Sequence, residues 1–213
     1  MSARLSAKEF FGNCVDKPLD MVMLRRVFLL HMRIHWSAGE NHYQDDADFS
    51  CLEYSDDATK SKLAVELTDI LNEDDTDNFP GVFVGFKGGY KLRKNMLDYS
   101  SNLSEDNSKT SKNVQWRGTL AISHIHKSSD TALAMADSSF VFLMAVRETL
   151  MDHFPIGVMD FEGVTDPQKL DPKKSNSFFK VDLLVSVEFT ATVNISLEGH
   201  RLKTYGIELS PTS

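Results

Sequence analysis

The stretch FKVDLLVSVEFTATVNISL, residues 179–197, decides how this chain is read. Every odd position from Phe179 to Leu197 is apolar, and every even position except Leu184 is polar. A period of two means a β-strand with one buried and one solvated face. Gly, Pro and paired Asn or Asp are absent from the stretch, so it contains no hairpin turn and reads as one continuous strand. At about 3.3 Å per residue it would run roughly 60 Å. That is more than a compact domain of this size covers, so the strand must bend or project beyond its own domain to lie on a neighbour. Gly199-His200 then turns the chain into a last strand, Arg201 to Leu209.

Working back from this strand, TALAMADSSFVFLMAVRETLMDHF (131–154) has the spacing of a long helix. Ser128, Ser129 and Asp130 offer N-caps, and Pro155 stops it. Leu133, Ala136, Phe140, Leu143, Met144, Val146 or Arg147, and Leu150 form its expected apolar face. Just before it, Val114 to Lys127 reads as a strand with Val114, Trp116, Leu120 and Ile122 on one side. The expected core is the odd face of 179–197 together with Trp116, Leu120, Phe140 and Leu143. GVFVGFKGGYKL (81–92) begins as a strand apolar on both sides, and Gly88-Gly89 predicts a bend or hairpin turn. Asp20 to Trp36 places Leu24, Val27, Phe28, Met32 and His35 or Trp36 on one helical face, with Asp16 or Asp20 as N-cap, Pro18 in the first turn and Gly39 past the end. A shorter helix is expected from Thr59 to Leu71, with Leu63, Leu67 and Ile70 on one side.

The 213 residues (24.0 kDa), 41% hydrophobic and 25% charged, suit a single soluble domain over 1–213. The net charge of −8 is unevenly placed: thirteen acids against Lys60 and Lys62 give −11 between Glu40 and Asn78, leaving +3 on the rest. This acidic excursion at 40–78 is read as a solvated face, or as one that meets a basic partner. The polar run 100–113 is read as a mobile loop. Overall acidity opposes broad contact with nucleic acid or anionic lipid. Cys14 and Cys51 form no disulfide framework or metal knuckle. No secretory signal is expected, and no apolar run reaches the roughly 18 residues that span a bilayer.

Histidines are the natural place to look for chemistry. His124 and His126 form an HxH pair on one face of a strand, and His31 and His35 are one turn apart on the first helix. Two such pairs plus a carboxylate could hold zinc, which would make the chain a hydrolase using His124 and His126. The helix pair lacks the glutamate of HExxH, however, and ordinary interior histidines fit the same pattern. The acidic run 72–78 does not place the Gly and Glu of a calcium-binding loop in register. GxGxxG, GxxxxGK[ST] and GxSxG do not occur. The expectation is therefore no enzyme, no catalytic residues, no metal and no cofactor.

The order of elements resembles the tail terminator proteins of tailed bacteriophages. It comprises a leading helix, an acidic variable region, strands flanking a loop, VQWRGTLAISHIHKS running into the helix that carries Ala132 to Asp137, then GVMDFEGVTDP and the long alternating strand. The resemblance covers Pro80 to Leu209. It implies an α+β fold, with a curved, mostly antiparallel sheet covered by two to three helices and a long strand or hairpin extending to a neighbouring subunit. It also implies a hexameric ring at the head-proximal end of the tail, ending the tail tube and joining it to the neck. The partners would be further copies, a tail tube protein, a neck or connector protein and, where there is one, a sheath protein, with no membrane and no sequence-specific nucleic acid. Such a protein is assembled in the host cytoplasm and ends in the virion. Candidate ring contacts are Asn194, Ile195 and Leu197 at the far end of the long strand, and Arg201, Lys203 and Tyr205 on the last one. Other head–tail connector, tube or baseplate rings are the alternatives within this class.

Overall fold

The alternating stretch forms one strand, and a second strand of equal length lies against it. The computed structural model describes residues 21–37, 52–57, 59–68, 80–92, 101–103, 109–170 and 178–196. In chain order these give α1 (Met21–Ser37), β1 (Ala64–Leu67), β2 (Gly81–Leu92), β3 (Ser101–Leu103), β4 (Lys109–His126), α2 (Ser129–His153), β5 (Ile156–Val164), β6 (Gln168–Lys169) and β7 (Phe179–Ser196). β7 is antiparallel to β4 along its whole length, from His126 opposite Phe179 to Lys109 opposite Ser196. The strand order is β1-β2-β4-β7-β5, with β3 added to β4 and β6 to β7.

The class is α+β with two helices among the described residues, but the expected curved, mostly antiparallel sheet is corrected. The sheet is open, ending at β1 and β5 without curling round to close, and it is mixed, because β1 runs parallel to β2. Parallel pairing follows from β1 itself, which replaces the expected helix at 59–71. Leu63 and Val65 are buried with Leu67 packed beside them, so the period of two outcompetes the helical spacing that Leu63 and Leu67 also satisfy. A turn fixes its start: the Asp57 carboxylate accepts from the Thr59 N–H (3.1 Å) and hydroxyl (2.7 Å), while the Asp57 carbonyl accepts from Lys60 and Ser61.

Gly88-Gly89 makes no hairpin. β2 continues to Leu92, and the glycines occupy a register shift between Lys87 and Tyr90, where Gly88 takes φ +72°. Strand structure also enters the polar run 100–113: Ser101–Leu103 pair with Lys112–Thr110, so backbone pairing overrides a loop-like composition there. The expected caps of α1, most of the acidic excursion, both cysteines and the last strand lie outside the described residues.

Both helices cover one face of the sheet. Leu24, Val27, Phe28, Met32 and Trp36 of α1 and Met135, Leu143 and Leu150 of α2 join Val82, Val84, Leu120, Ile122, Leu183, Val185, Val187 and Phe189 in one buried cluster. Each such side chain contributes on the order of 1.5–3 kcal/mol by leaving water. The other face carries cross-strand polar pairs: Ser123 to Asp182 (2.6 Å), Thr119 to Glu162 (3.2 Å) and Arg117 to Glu188 (3.7 Å).

Ser128 caps α2 by accepting from the Thr131 N–H at 3.3 Å, and the helix ends before Pro155 as expected. Its buried strip keeps Ala136, Leu143 and Leu150 of the expected one but differs at its margins. Leu133 and Met144 are 38% and 45% exposed, whereas Ala132, Ser138 and Ser139 are buried, since small side chains let the helix sit close to β4 and β7. By length and composition alone α2 would suffice to cross a membrane, contrary to the expectation that no stretch does, but here it packs on the sheet. Phe140 and Trp116 are partly buried against the core, while Leu120 and Leu143 are wholly within it.

Candidate functional site

Two places concentrate features that packing alone does not demand: a buried polar cluster under the helices, and the far end of the β4–β7 pair.

The cluster takes one histidine from each pair seen in the sequence. His35, near the end of α1, places Nε2 3.0 Å from Ser138 Oγ, and His124 of β4 places Nε2 2.8 Å from Ser139 Oγ. Adjacent serines of α2 thus hold two imidazoles that come from elements far apart in sequence. The His35 ring stacks on Phe142 at 4.6 Å and meets the edge of Trp36 at 5.0 Å. All four polar residues are buried, His124, Ser138 and Ser139 completely. Burial lowers His35 to about 4. It lowers His124 to about 3, with the charge of Asp182 and the backbone of Val181 and Ile122 pulling weakly upward and His35 pushing further down. Both rings are therefore neutral at ordinary pH.

The other two histidines do not join them. His31 donates from Nδ1 to the Val27 carbonyl at 2.7 Å, and burial holds it below the ordinary value. His126 is only half-buried and its Nδ1 accepts the Ser128 N–H at 3.0 Å. No three His, Cys, Asp or Glu side chains among the described residues converge as a metal centre would need. A histidine 2.8 Å from a serine is also how a nucleophile–base pair begins. Here the serine has no exposed surface, and His124 Nδ1 makes no hydrogen bond, so no third group orients the ring. The arrangement joins three elements and offers a substrate no approach. Sequence reading missed Ser138 and Ser139, although two consecutive serines inside an otherwise apolar helix were a visible signal.

The second place is the arm. β2 leaves β4 at Trp116, and β5 leaves β7 at Phe189, where the Thr190 N–H still donates to the Pro155 carbonyl at 3.0 Å. Beyond them β4 and β7 continue as a pair from Gln115 and Thr190 to Lys109 and Ser196. β3 pairs with β4 there, and among the described residues no strand pairs with the outer edge of β7 after Phe189. That edge reads TATVNIS, seven uncharged residues without Pro or Gly, between Glu188 and Glu198. The edges at β5 and β1 are blunted. β5 carries Asp160, Glu162 and two register shifts. At β1, Arg33 donates to the Val65 carbonyl (3.0 Å) and the Glu66 carboxylate (2.9 Å) and lies over Tyr54 at 5.2 Å, tying part of the acidic segment to α1.

Of the candidate ring contacts, Asn194 and Ile195 lie on this arm, opposite Ser111 and Thr110. Leu197, Arg201, Lys203 and Tyr205 lie outside the described residues. Neither a known protein family nor a curated protein matches the chain.

Proposed function

We propose that the chain is a structural subunit of a virion ring, one that closes the head-proximal end of a bacteriophage tail tube and presents a docking surface to the neck. The observation that carries this reading is the β4–β7 pair, which runs seven residues past the described ends of β2 and β5. Among the described residues this uncharged edge of seven residues runs past its flanking strands without a partner, and such an edge is suited to strand addition. A ring subunit gains a joint: the edge pairs with the adjoining copy, and repetition of one head-to-tail contact closes the ring. The resemblance in element order to tail terminators supports the same assignment.

Function then resides in shape and in complementary surfaces, with no turnover of substrate. The partners are further copies of the chain, a tail tube protein and a neck protein, and the charge of the acidic segment suits a basic partner. Negative-stain imaging of the purified protein tests the proposal. Annular particles with a central opening are expected, and compact particles without an opening at any concentration would overturn it.

A further inference from the structure

The His35–Ser138 and His124–Ser139 contacts are polar links that join α1, α2 and β4 inside the core. We infer that this cluster is an acid-sensitive latch: proton uptake by the two imidazoles releases α1 from α2 and the sheet. The inference stands apart from the ring proposal, since it concerns how the helical layer is held in each copy.

The geometry supplies the mechanism. A protonated imidazole could still donate to a serine hydroxyl, so loss of the hydrogen bonds themselves is not what opens the joint. The charge is. His35 and His124 approach the same pair of serines from different elements, close enough for each to feel the other's charge. From α2 they face Ser138, Ser139 and Phe142, which carry no charge. His35 on α1 meets the edge of Trp36 and the charge of His124 on β4, and one turn back along α1 lies His31, which can only add positive charge. On β2, Val82 is the register partner of His124. From β7 the charge of Asp182 reaches His124, but that carboxylate is already engaged by Ser123 at 2.6 Å and Lys180 at 3.2 Å. Two cations would thus be buried together with no carboxylate to pair with them, an arrangement that opens to water sooner than it persists.

The direction follows. Both histidines titrate below the ordinary value of 6.5 in the folded chain. An open or unfolded chain therefore binds more protons than the closed one as pH falls below that value. The closed state is fully favoured above about 6.5 and loses ground as pH falls toward 4.

Trp36, 2% exposed and in edge contact with His35, reports the joint. In full-length protein carrying Trp116→Phe, so that Trp36 is the only tryptophan, its fluorescence emission should shift to the red through a transition between pH 6 and 4. The double substitution His35→Gln and His124→Gln keeps neutral hydrogen-bonding side chains but removes the titration. It should move that midpoint down by about one pH unit, while His153→Gln, at an exposed position, leaves it in place. If the double variant does not fold at pH 8, His35→Gln alone is read, with a smaller shift in the same direction expected. A midpoint identical to that of the parent protein, in whichever of the two is read, would overturn the latch.

Discussion

At the scale of single residues, Gly85 shows how closely the strands are fitted. A Cβ added there would run into the Thr68 side chain at the end of β1, and Thr68 Oγ1 is buried without a hydrogen-bond partner. Thr is branched at Cβ and has no flexible end to swing away. Gly85→Ala is therefore expected to lower stability by about 1–3 kcal/mol in urea unfolding, the range for overfilling a packed site. Thr68→Ala added to it should recover part of the loss, and the double-mutant cycle measures that coupling. The same close fit explains the serines of α2. Ser138 and Ser139 fill space that a larger side chain could not, and they give the two buried imidazoles something to bond. A histidine's chemistry depends on what faces it, and neither HxH nor HxxxH spacing encodes that. His35 and His124 are 89 positions apart in the chain, so each pair was visible in the sequence while the cluster that formed was not.

At the scale of elements, strong local periodicity was legible and competition between periods was not. The alternation of 179–197 became β7 as far as Ser196, where the described residues end, and the three-and-four spacing with Ser128 and Pro155 at its ends became α2. Where two patterns fit the same residues, tertiary contact decided. Residues 59–71 satisfied a helix through Leu63, Leu67 and Ile70, but Leu63 and Val65 could both be buried only as an edge beside β2. Gly88-Gly89 satisfied a turn, but β4 was long enough to hold β2 in register on both sides of them, so the glycines became a bulge. The run 100–113 looked like a loop because the strand at 109–113 pairs with β7, 79 to 87 residues away in the chain, and 101–103 add to that strand. The one-sidedness of β7 can be measured. Leu183 is fully buried under the helices, and Leu184, one residue on, lies on the opposite, polar face and is only partly covered. Leu183→Ala should cost about 2–5 kcal/mol, as for other fully buried leucines, with Leu184→Ala well below that range. Equal losses in denaturant titrations would contradict the assignment of faces.

At the scale of the whole molecule, one helix-covered sheet carries an arm that runs seven residues past its body, and acidity belongs mainly to one segment. Its Arg33–Glu66 contact hooks that segment to α1. The charge of the acidic segment suits a basic surface, while the uncharged end of β7 is suited to pairing between copies. The two surfaces therefore separate the tasks that a ring subunit has to perform, docking on partners and joining its own kind. The most direct test is the mass of the particle in solution by light scattering, measured for the parent protein and for Thr192→Lys with Asn194→Lys. Charges on an open edge block strand addition without disturbing the ladder on the other side. The expected result is a species of about six copies for the parent and single copies for the variant, with the far-ultraviolet spectrum unchanged. A parent protein that stays a single copy at every concentration, or a ring that the two lysines leave intact, would contradict the claim that the overreaching strand is the joint.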